Sequence, residues 1–551
     1  MAARARSAVA KAKAPVSIAQ PECLHLTYRL AELPSTQHRA GLAGLVLLVR
    51  WLERNAFSGI CTLTALEEHG VILDVDLPGL RRLLDELYGA TKEDQPDSKI
   101  RKDKKGKPIL PLREETREVK DAAGKVKKKT FYIYPAVVPK AAYLADRDTA
   151  SGGRGLWVKL WRDMVWNTLR GVPATRKPFE ARADQRNTQD ADDLWKQLAH
   201  APDAAVDLPS TYFLGAMEST ADNVSFKDRA RFQFLLHFWP YAAQVYVPQE
   251  VEVDETGKAR AKLSNGFALA IPDVSKLASF CDGLHQVLAD RKPEAQGYRP
   301  REAVIDVPAE SALDLAYRLA QRIGRKEGGH VTSSLVLGYE VFHLAREGNN
   351  IRILSTSRLV PDQPMLDEYT TWRRQLWDPH FRRRILINLV SQQPQYTGFD
   401  RLLRATPYAQ TIGSATFRHD ARLTLHENSE DSMQSDSQVE IPSEEQLVYQ
   451  LVRHYVLQRL KSKHDLEWEK VKGDEKKEAD YNQKRSKIAK DAFLAVRSRT
   501  RAEDFISYFA GTLCSATYHM NKERFAVLAR ALHDRTQEIR TFTLLALCAN
   551  G

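Results

Sequence analysis

Ser443-Glu444-Glu445-Gln446-Leu447-Val448-Tyr449-Gln450-Leu451-Val452-Arg453-His454-Tyr455-Val456-Leu457-Gln458-Arg459-Leu460 is where the chain changes character. Ser443 with Gln446 three residues on forms a capping box, each side chain satisfying a backbone N–H of the other residue. Leu447, Val448, Leu451, Val452, Tyr455, Val456 and Leu460 then recur at the helical period. Asp491–Val496, Phe505–Leu513 and Phe525–Leu532 repeat the pattern, so residues 443–551 read as a compact helical bundle. Immediately upstream, Glu427-Asn428-Ser429-Glu430-Asp431-Ser432 and more Ser, Asp and Gln make 426–442 an acidic, Ser-rich linker by composition.

Ahead of the linker the pattern is mixed. Leu24, Leu26, Tyr28 and Leu30 alternate as in a strand, Pro34 breaks it, and Ser35 is an N-cap for a helix running to about Trp51. Leu80–Tyr88 reads as a second amphipathic helix. Residues 211–250 are core by composition, with Phe232, Phe234, Phe238, Trp239, Tyr241 and Tyr246. Gly266–Ile271 reads as a strand. Leu335–Thr356 reads as a hairpin turning at Glu347-Gly348-Asn349-Asn350. The expected fold is therefore α+β: a mixed α/β region at 23–425, then an all-α bundle at 443–551. Residues 1–22, with Arg4, Arg6, Lys11 and Lys13 and no acid before Pro15, read as a disordered basic tail.

With 551 residues the chain is too long for one ordinary core. Lys and Arg number 82 against 71 Asp and Glu, a net +11, which suits a polyanionic partner or plain solubility equally well. The five cysteines, Cys23, Cys61, Cys281, Cys514 and Cys548, are scattered with no C-x-x-C pair. That disfavours a disulfide framework or zinc ribbon and fits a reducing, cytoplasmic setting. The best apolar run, Leu42–Leu48, is far short of the roughly 20 residues a bilayer span needs, so no membrane partner is expected.

The sequence carries no P-loop, no G-x-G-x-x-G after a strand, no H-E-x-x-H and no G-x-S-x-G. His-Asp dipeptides at His419-Asp420, His464-Asp465 and His533-Asp534 lack the further ligands a phosphohydrolase metal site requires. No catalytic residue, metal or cofactor is expected, although a metal-dependent nuclease using one of these pairs remains an alternative.

Binding features are more numerous. A Lys-rich insertion at about 94–130 carries Lys99, Arg101, Lys102, Lys104, Lys105 and Lys107, then Lys125, Lys127, Lys128 and Lys129. It reads as an exposed loop or long hairpin, and as a solvated insertion or a phosphate-contacting arm with equal weight. Trp157, Trp161 and Trp166 lie near one helical face and read as core before base stacking. The segment Leu169-Arg170-Gly171-Val172-Pro173-Ala174-Thr175-Arg176-Lys177-Pro178 makes a fixed basic loop. Trp372-Arg373-Arg374-Gln375-Leu376-Trp377 and Phe381-Arg382-Arg383-Arg384 interleave aromatics with arginine. Nearby acids are few, Asp367 and Glu368, which tips Arg373, Arg374, Arg382, Arg383 and Arg384 toward phosphate contact over local ion pairing.

Leu30-Ala31-Glu32-Leu33-Pro34-Ser35-Thr36-Gln37-His38-Arg39-Ala40-Gly41-Leu42-Ala43-Gly44-Leu45 resembles the opening of the large-subunit family of type I CRISPR surveillance complexes (Cascade), in its Myxan subtype. Trp161-Arg162-Asp163-Met164-Val165-Trp166 running into Arg170-Gly171-Val172-Pro173, and Leu235-Leu236-His237-Phe238-Trp239, resemble the same family. The likeness covers about residues 24–250, and the full length is consistent with it. The resemblance implies a non-catalytic subunit partnered by guide RNA, by target duplex DNA and by the guide-holding and backbone subunits. It implies recognition of the protospacer-adjacent motif, opening of the duplex, R-loop stabilisation and recruitment of a helicase-nuclease. It also implies that 443–551 is similar to the separate small subunit. Met433 is then a candidate internal start, whose product would have that subunit's size. The alternative to this family is a nucleic-acid-binding regulatory protein outside CRISPR.

Duplex entry needs cations for phosphates and polar groups for base edges. The candidates are Gln37, His38 and Arg39 in the first motif; Lys104, Lys105 and Lys128 in the insertion; Arg170, Arg176, Lys177, Arg182 and Arg186 in and after the loop; and Asn223 and Lys227 in the Asn223–Arg229 turn. Gln37 and His38 serve equally well as helix-start residues that satisfy backbone groups.

Overall fold

The computed structural model describes residues 21–55, 57–103, 105–120, 126–141, 144, 156–169, 175–208, 214, 226–254, 259–264, 266–289, 303–327, 335–347, 350–430, 443–515 and 522–551. The fold is α+β, with mixed α/β N-terminal and middle parts and a helical C-terminal region. It divides into two compact units, 1–143 with 169–241, and 144–168 with 242–551. That division falls inside the 23–425 stretch that composition reads as one domain.

In the first unit, β1 (Leu24–Arg29), β2 (Cys61–Leu66) and β3 (Gly70–Val75) form an antiparallel sheet in the order β1-β3-β2. Leu24, Leu26 and Tyr28 point inward, as their alternation predicts. Helix α1 (Thr36–Glu53) begins at Ser35, whose Oγ accepts the His38 N–H. The run Leu42–Leu48 is buried along this helix. The helical backbone of α1 comes very close to the segment that follows α5 (Ala230–Leu235). A Cβ at Gly41 would lie 2.3 Å from the Leu235 carbonyl oxygen, and one at Gly44 would lie 2.0 Å from that of Phe238. The resemblance motif Gly41-Leu42-Ala43-Gly44 is thus a helix-crossing surface. Helix α2 (Leu77–Leu87), capped by Asp76, leads into a second antiparallel sheet of β4 (Ala90–Asp97), β5 (Arg113–Lys120) and β6 (Val126–Pro139), in the order β4-β6-β5. Helices α3 (Lys177–Ala183) and α4 (Asp190–His200) and the pair β7 (Ala205–Leu208) and β8 (Phe226–Arg229) complete the unit.

The second unit is built on β9 (Gln244–Val253), β10 (Ala259–Leu263), β11 (Gly266–Val274), β13 (Val336–Glu347) and β14 (Asn350–Leu359), in the order β10-β9-β11-β13-β14. The short β12 (Val304–Ile305) runs parallel to β9. Helix Leu156–Asp163 and the π-type turn after it place Trp161 in the core and leave Trp166 half-buried, while the Trp157 side chain lies outside the described residues. Helices α6 (Leu277–Ala289) and α7 (Glu310–Glu327) follow.

The helical part comprises α8 (Gln363–Gln375), α9 (Pro379–Val390), α10 (Phe399–Ala405), α11 (Ala415–Glu430), α12 (Glu444–His464), α13 (Glu475–Ser498), α14 (Lys522–Asp534) and α15 (Thr536–Ala549). The capping box at Ser443 and Gln446 forms as the spacing predicts. One apolar core runs through all of it. Trp372, Phe381, Phe399, Phe417 and Leu425 pack in the same cluster as Leu447, Val452, Phe493, Phe505 and Leu545. The bundle's core therefore starts about 70 residues ahead of Ser443, because these upstream helices bury their apolar faces on the downstream ones. Residues 426–430, read as linker, continue α11, and 431–442 lie outside the described residues. Among the described residues no helix is long and apolar enough to cross a membrane.

A buried polar network ties β9, β12, α7, α8 and α9 together. Arg382 pairs with Asp306, Arg318 Nε donates to Asp314 at 2.7 Å, and Tyr246 donates to Asp314 at 2.9 Å. The Arg373 guanidinium stacks 4.6 Å from the Tyr317 ring centre and 3.8 Å from Asp314. Glu310 accepts the Asp306 N–H at 2.7 Å and meets the Tyr369 hydroxyl at 3.1 Å. Burial and then neighbouring Asp306 push the Glu310 carboxyl up to about 8 from an ordinary 4.5. A carboxyl that holds its proton more tightly when folded stabilises the fold below its ordinary range. That contribution is lost as pH rises through the folded value. Glu310→Gln cannot ionise, so it is expected to flatten the stability-versus-pH curve of this unit between those two values, read by thermal unfolding at a series of pH values. A curve as steep as the parent's would contradict the assignment.

Candidate nucleic-acid interface

The Lys-rich insertion is a β-ribbon. Strand β4 pairs with Tyr132–Pro139 of β6, whereas β5 pairs with Val126–Ile133. Residues Glu115–Lys120 and Val126–Phe131 are therefore a two-stranded antiparallel ribbon extending past the three-stranded root. Phe131, Tyr132, Ile133 and Tyr134 give β6 its strand preference, and Ile133 and Tyr134 anchor the root in the core. Beyond them, Val126, Lys128, Lys129 and Thr130 are all exposed, so both faces of the extension meet solvent.

The β4–β5 connection is also ordered by its own sequence. The Asp103 carboxylate accepts the N–H groups of Lys105 and Lys107, each at 2.8 Å, and Gly106 takes the left-handed φ of +80° that the turn requires. The Tyr134 hydroxyl accepts the Arg101 N–H at 3.0 Å and donates to the Ile109 carbonyl at 3.1 Å, pinning the loop to the root. Lys105 and Lys107 project from this turn into solvent.

Residues 90–139 carry fourteen Lys and Arg against eight Asp and Glu, so more than half of the chain's net charge sits in this one stretch. The arginines here are engaged. Arg113 pairs with Asp94 at 2.6 Å and with Glu115 at 2.9 Å, and Arg117 pairs with Glu115 at 2.6 Å. In contrast Lys99, Lys102, Lys105, Lys107, Lys128 and Lys129 have no carboxylate partner among the described residues, although Lys128 lies across the strands from Glu118. Lysines without local partners, carried on a projecting ribbon, are well suited to contact phosphates without reading sequence. A two-stranded ribbon is also one of the two elements that a B-form major groove admits.

The remaining candidates divide by burial. Gln37 is buried, and its amide oxygen accepts the Leu214 N–H at 3.2 Å. His38 is buried, with Nδ1 2.7 Å from Ser35 Oγ and Nε2 2.8 Å from the Asp228 carboxylate. Both therefore hold the start of α1 in place through these contacts. Arg182 stacks over Tyr88 and pairs with Asp85 and Asp190, each at 2.9 Å, which holds α3 against α2 and α4. Arg373 and Arg382 belong to the buried network. Arg383 donates to the Asp306 carbonyl at 2.8 Å, and Arg384 packs its guanidinium beside Gly398. The acids that engage Arg373 and Arg382 are Asp314 and Asp306, distant in sequence, so the scarcity of local acids does not leave these two unpaired.

Exposed are Lys105, Lys128, Lys177, Arg186, Lys227 and Arg374, with Arg186 paired to Asp184 and Arg374 near the Tyr317 hydroxyl. Arg39 and Arg176 are half-buried. Lys104, Arg170 and Asn223 lie outside the described residues. The fold brings Arg176, Lys177 and Arg186 beside the ribbon's root, because α3 packs on β4 and β6 and Asp184 pairs with Lys92 at 2.5 Å.

The Ser35 hydroxyl lies beside His38 Nδ1, but it is engaged as the N-cap of α1, and His38 is buried. Among the described residues no three His, Cys, Asp or Glu side chains are grouped to hold a metal. Asp420 of the first His-Asp pair is buried and accepts the N–H groups of Trp377 and Asp378. The other two pairs sit at helix C-termini, where Asp465 is the left-handed cap of α12 and Asp534 ends α14.

Residues 60–329 match the model described as the Type I-B CRISPR Cas8b N-terminal domain, and residues 336–550 match that of the Type I-B CRISPR Cas8b C-terminal domain. The curated proteins contain no match to the chain.

Proposed function

We propose, from the premise that this chain belongs to the Cas8b family of type I-B CRISPR large subunits, that it reads the protospacer-adjacent motif in duplex DNA and helps to open it. On this reading the guide RNA, held by neighbouring guide-holding and backbone subunits, supplies sequence recognition by base pairing, and this chain supplies shape and backbone contacts. The observation that carries the DNA-binding part of the proposal is the ribbon Glu115–Lys120 with Val126–Phe131, whose Lys128 and Lys129 make no ion pair among the described residues. The chain then holds DNA without cutting it, stabilises the R-loop and presents the complex to a helicase-nuclease in the cytoplasm. The Myxan-subtype likeness of Leu30–Leu45 is part of the same proposal.

An internally initiated product from Met433 extends the proposal to a separate small subunit. Such a product would carry α12–α15 without Trp372, Phe381, Phe399 and Phe417, which share their core. It would need another subunit to cover that apolar face. Expressing the tagged chain with its neighbouring genes and a repeat array, then sequencing the bound RNA, tests the function. A stable ribonucleoprotein with uniform guides supports it, and a lone chain without RNA or partners overturns it.

A further inference from the structure

The helical part of the second unit forms a half-open pocket of about 380 Å3 lined by Arg418, His419, Arg422, Asn482, Arg485 and Ser486. Arg418 and Arg422 lie one turn apart on α11, and Arg485 comes from α13. None of the three arginines makes an ion pair among the described residues. Their hydrogen bonds go to neutral groups: Arg418 to the Ile412 carbonyl at 3.0 Å, Arg422 to the Ala549 carbonyl at 2.9 and 3.0 Å, and Arg485 to the Asn550 side-chain oxygen at 3.3 Å. Gly551 shares the rim, and no ion pair joins it to them. The Arg485 Nε is buried without a hydrogen-bond partner. Burial, then the charge of Arg422, holds the Arg485 guanidinium below its ordinary range. Arg318 and Arg382, in the same unit, each meet a buried carboxylate instead.

Beside the cavity stands an aromatic ledge. Trp377 is 52% exposed, and its ring lies 6.2 Å from that of His419 in an edge-on arrangement. Asp420 holds the backbone at Trp377, accepting its main-chain N–H at 2.9 Å, and lies 3.1 Å from His419 Nδ1. A half-exposed indole near three guanidiniums whose hydrogen bonds go to neutral groups combines the two elements that bind nucleotide units, a cationic phosphate seat and a stacking face.

We propose that this cavity is a nucleotide-phosphate pocket, in which Arg418, Arg422 and Arg485 hold the phosphate while Trp377 and His419 present a face to the base. The volume lies in the range of small-ligand sites. The phosphate comes from a single strand of nucleic acid or from a free nucleotide, and the experiment separates the two. It rests on the proposed function only for the identity of the strand.

The test uses the full chain with the ribbon lysines replaced by alanine, so that the pocket is read alone. A fluorescent oligo-dT strand is titrated against this background, and against the same background with Trp377→Ala or Arg418→Gln. Adenosine monophosphate and inorganic phosphate serve as competitors. Trp377 is exposed and Arg418 half-buried, and unchanged thermal unfolding confirms that the variants fold. Each is expected to weaken strand binding about 10-fold. Arg418→Gln should also lower the salt slope by about 0.7, while Trp377→Ala leaves it in place. Strand binding that the monophosphate displaces only weakly identifies a strand site. Tight monophosphate binding that is lost in both variants, with strand binding unaffected, identifies a free-nucleotide site. Folded variants that bind strand, monophosphate and phosphate as the background does overturn the pocket and leave the ribbon's role standing.

Discussion

Gly44→Ala is expected to unfold the first unit or to leave the chain insoluble. The added methyl would sit 2.0 Å from the Phe238 carbonyl oxygen, and a backbone carbonyl cannot swing aside as a side-chain tip can. Relief requires α1 to move off the segment it crosses, which opens the core that holds Leu42, Leu45, Phe234 and Phe238. Overpacking of a core against side chains costs about 1–3 kcal/mol, and a clash with backbone at the centre of a unit belongs at or above the top of that range. Gly106→Ala is the control. That residue also has special geometry, φ +80°, but nothing lies within 4 Å of an added Cβ, so its cost is limited to about 1 kcal/mol of backbone strain. Thermal unfolding of the two variants side by side checks the contrast. Equal losses would show that the close crossing of α1 is not what holds the unit together.

Replacing Lys105, Lys107, Lys128 and Lys129 together by alanine is expected to reduce duplex affinity about 100-fold near 0.1 M salt, if each lysine contacts one phosphate. The slope of log affinity against log salt should fall by about 3–4, close to 0.9 for each lost phosphate contact. These side chains are exposed and carry no ion pair among the described residues, so the fold should be unchanged. Loss should be uniform across duplex sequences, because lysine contacts to phosphate carry no base information. Titration of the parent and the variant at several salt concentrations reads both quantities. Parallel salt slopes would remove the ribbon from the interface.

Local rules were the legible part of this chain. Ser35, Ser443 with Gln446, and the alternation of Leu24, Leu26 and Tyr28 each declared an element from residues within a turn or a strand of one another. The Lys-rich stretch was legible as an exposed hairpin or loop. Its two-stranded extension was not, because the offset of β4 and β5 along β6 is set by pairing between distant segments.

The arginines mark the boundary most clearly. Arg373 and Arg382 sit among aromatics with few acids beside them in sequence, as an interface residue would. Their partners Asp314 and Asp306 arrive from the turn and first helix after β12, which only the fold brings near. Gln37 and His38 are similar: their position at a helix start allowed either role, and the long-range contacts with Leu214 and Asp228 decide for the framework. Arg418, Arg422 and Arg485 drew no attention in the sequence, since an i,i+4 arginine pair is ordinary on a solvated helix. What marks them is that, among the described residues, none makes an ion pair once α11 and α13 are packed.

The most direct test of the central claim compares guide-loaded complexes assembled with and without this chain. Each is titrated with a library of duplexes that share one target and vary in the flanking base pairs. The account predicts that the complete complex binds only a subset of flanks, and that the complex lacking this chain loses that preference while still pairing with single-stranded target. A flank preference that persists without the chain would place recognition in another subunit and contradict the account.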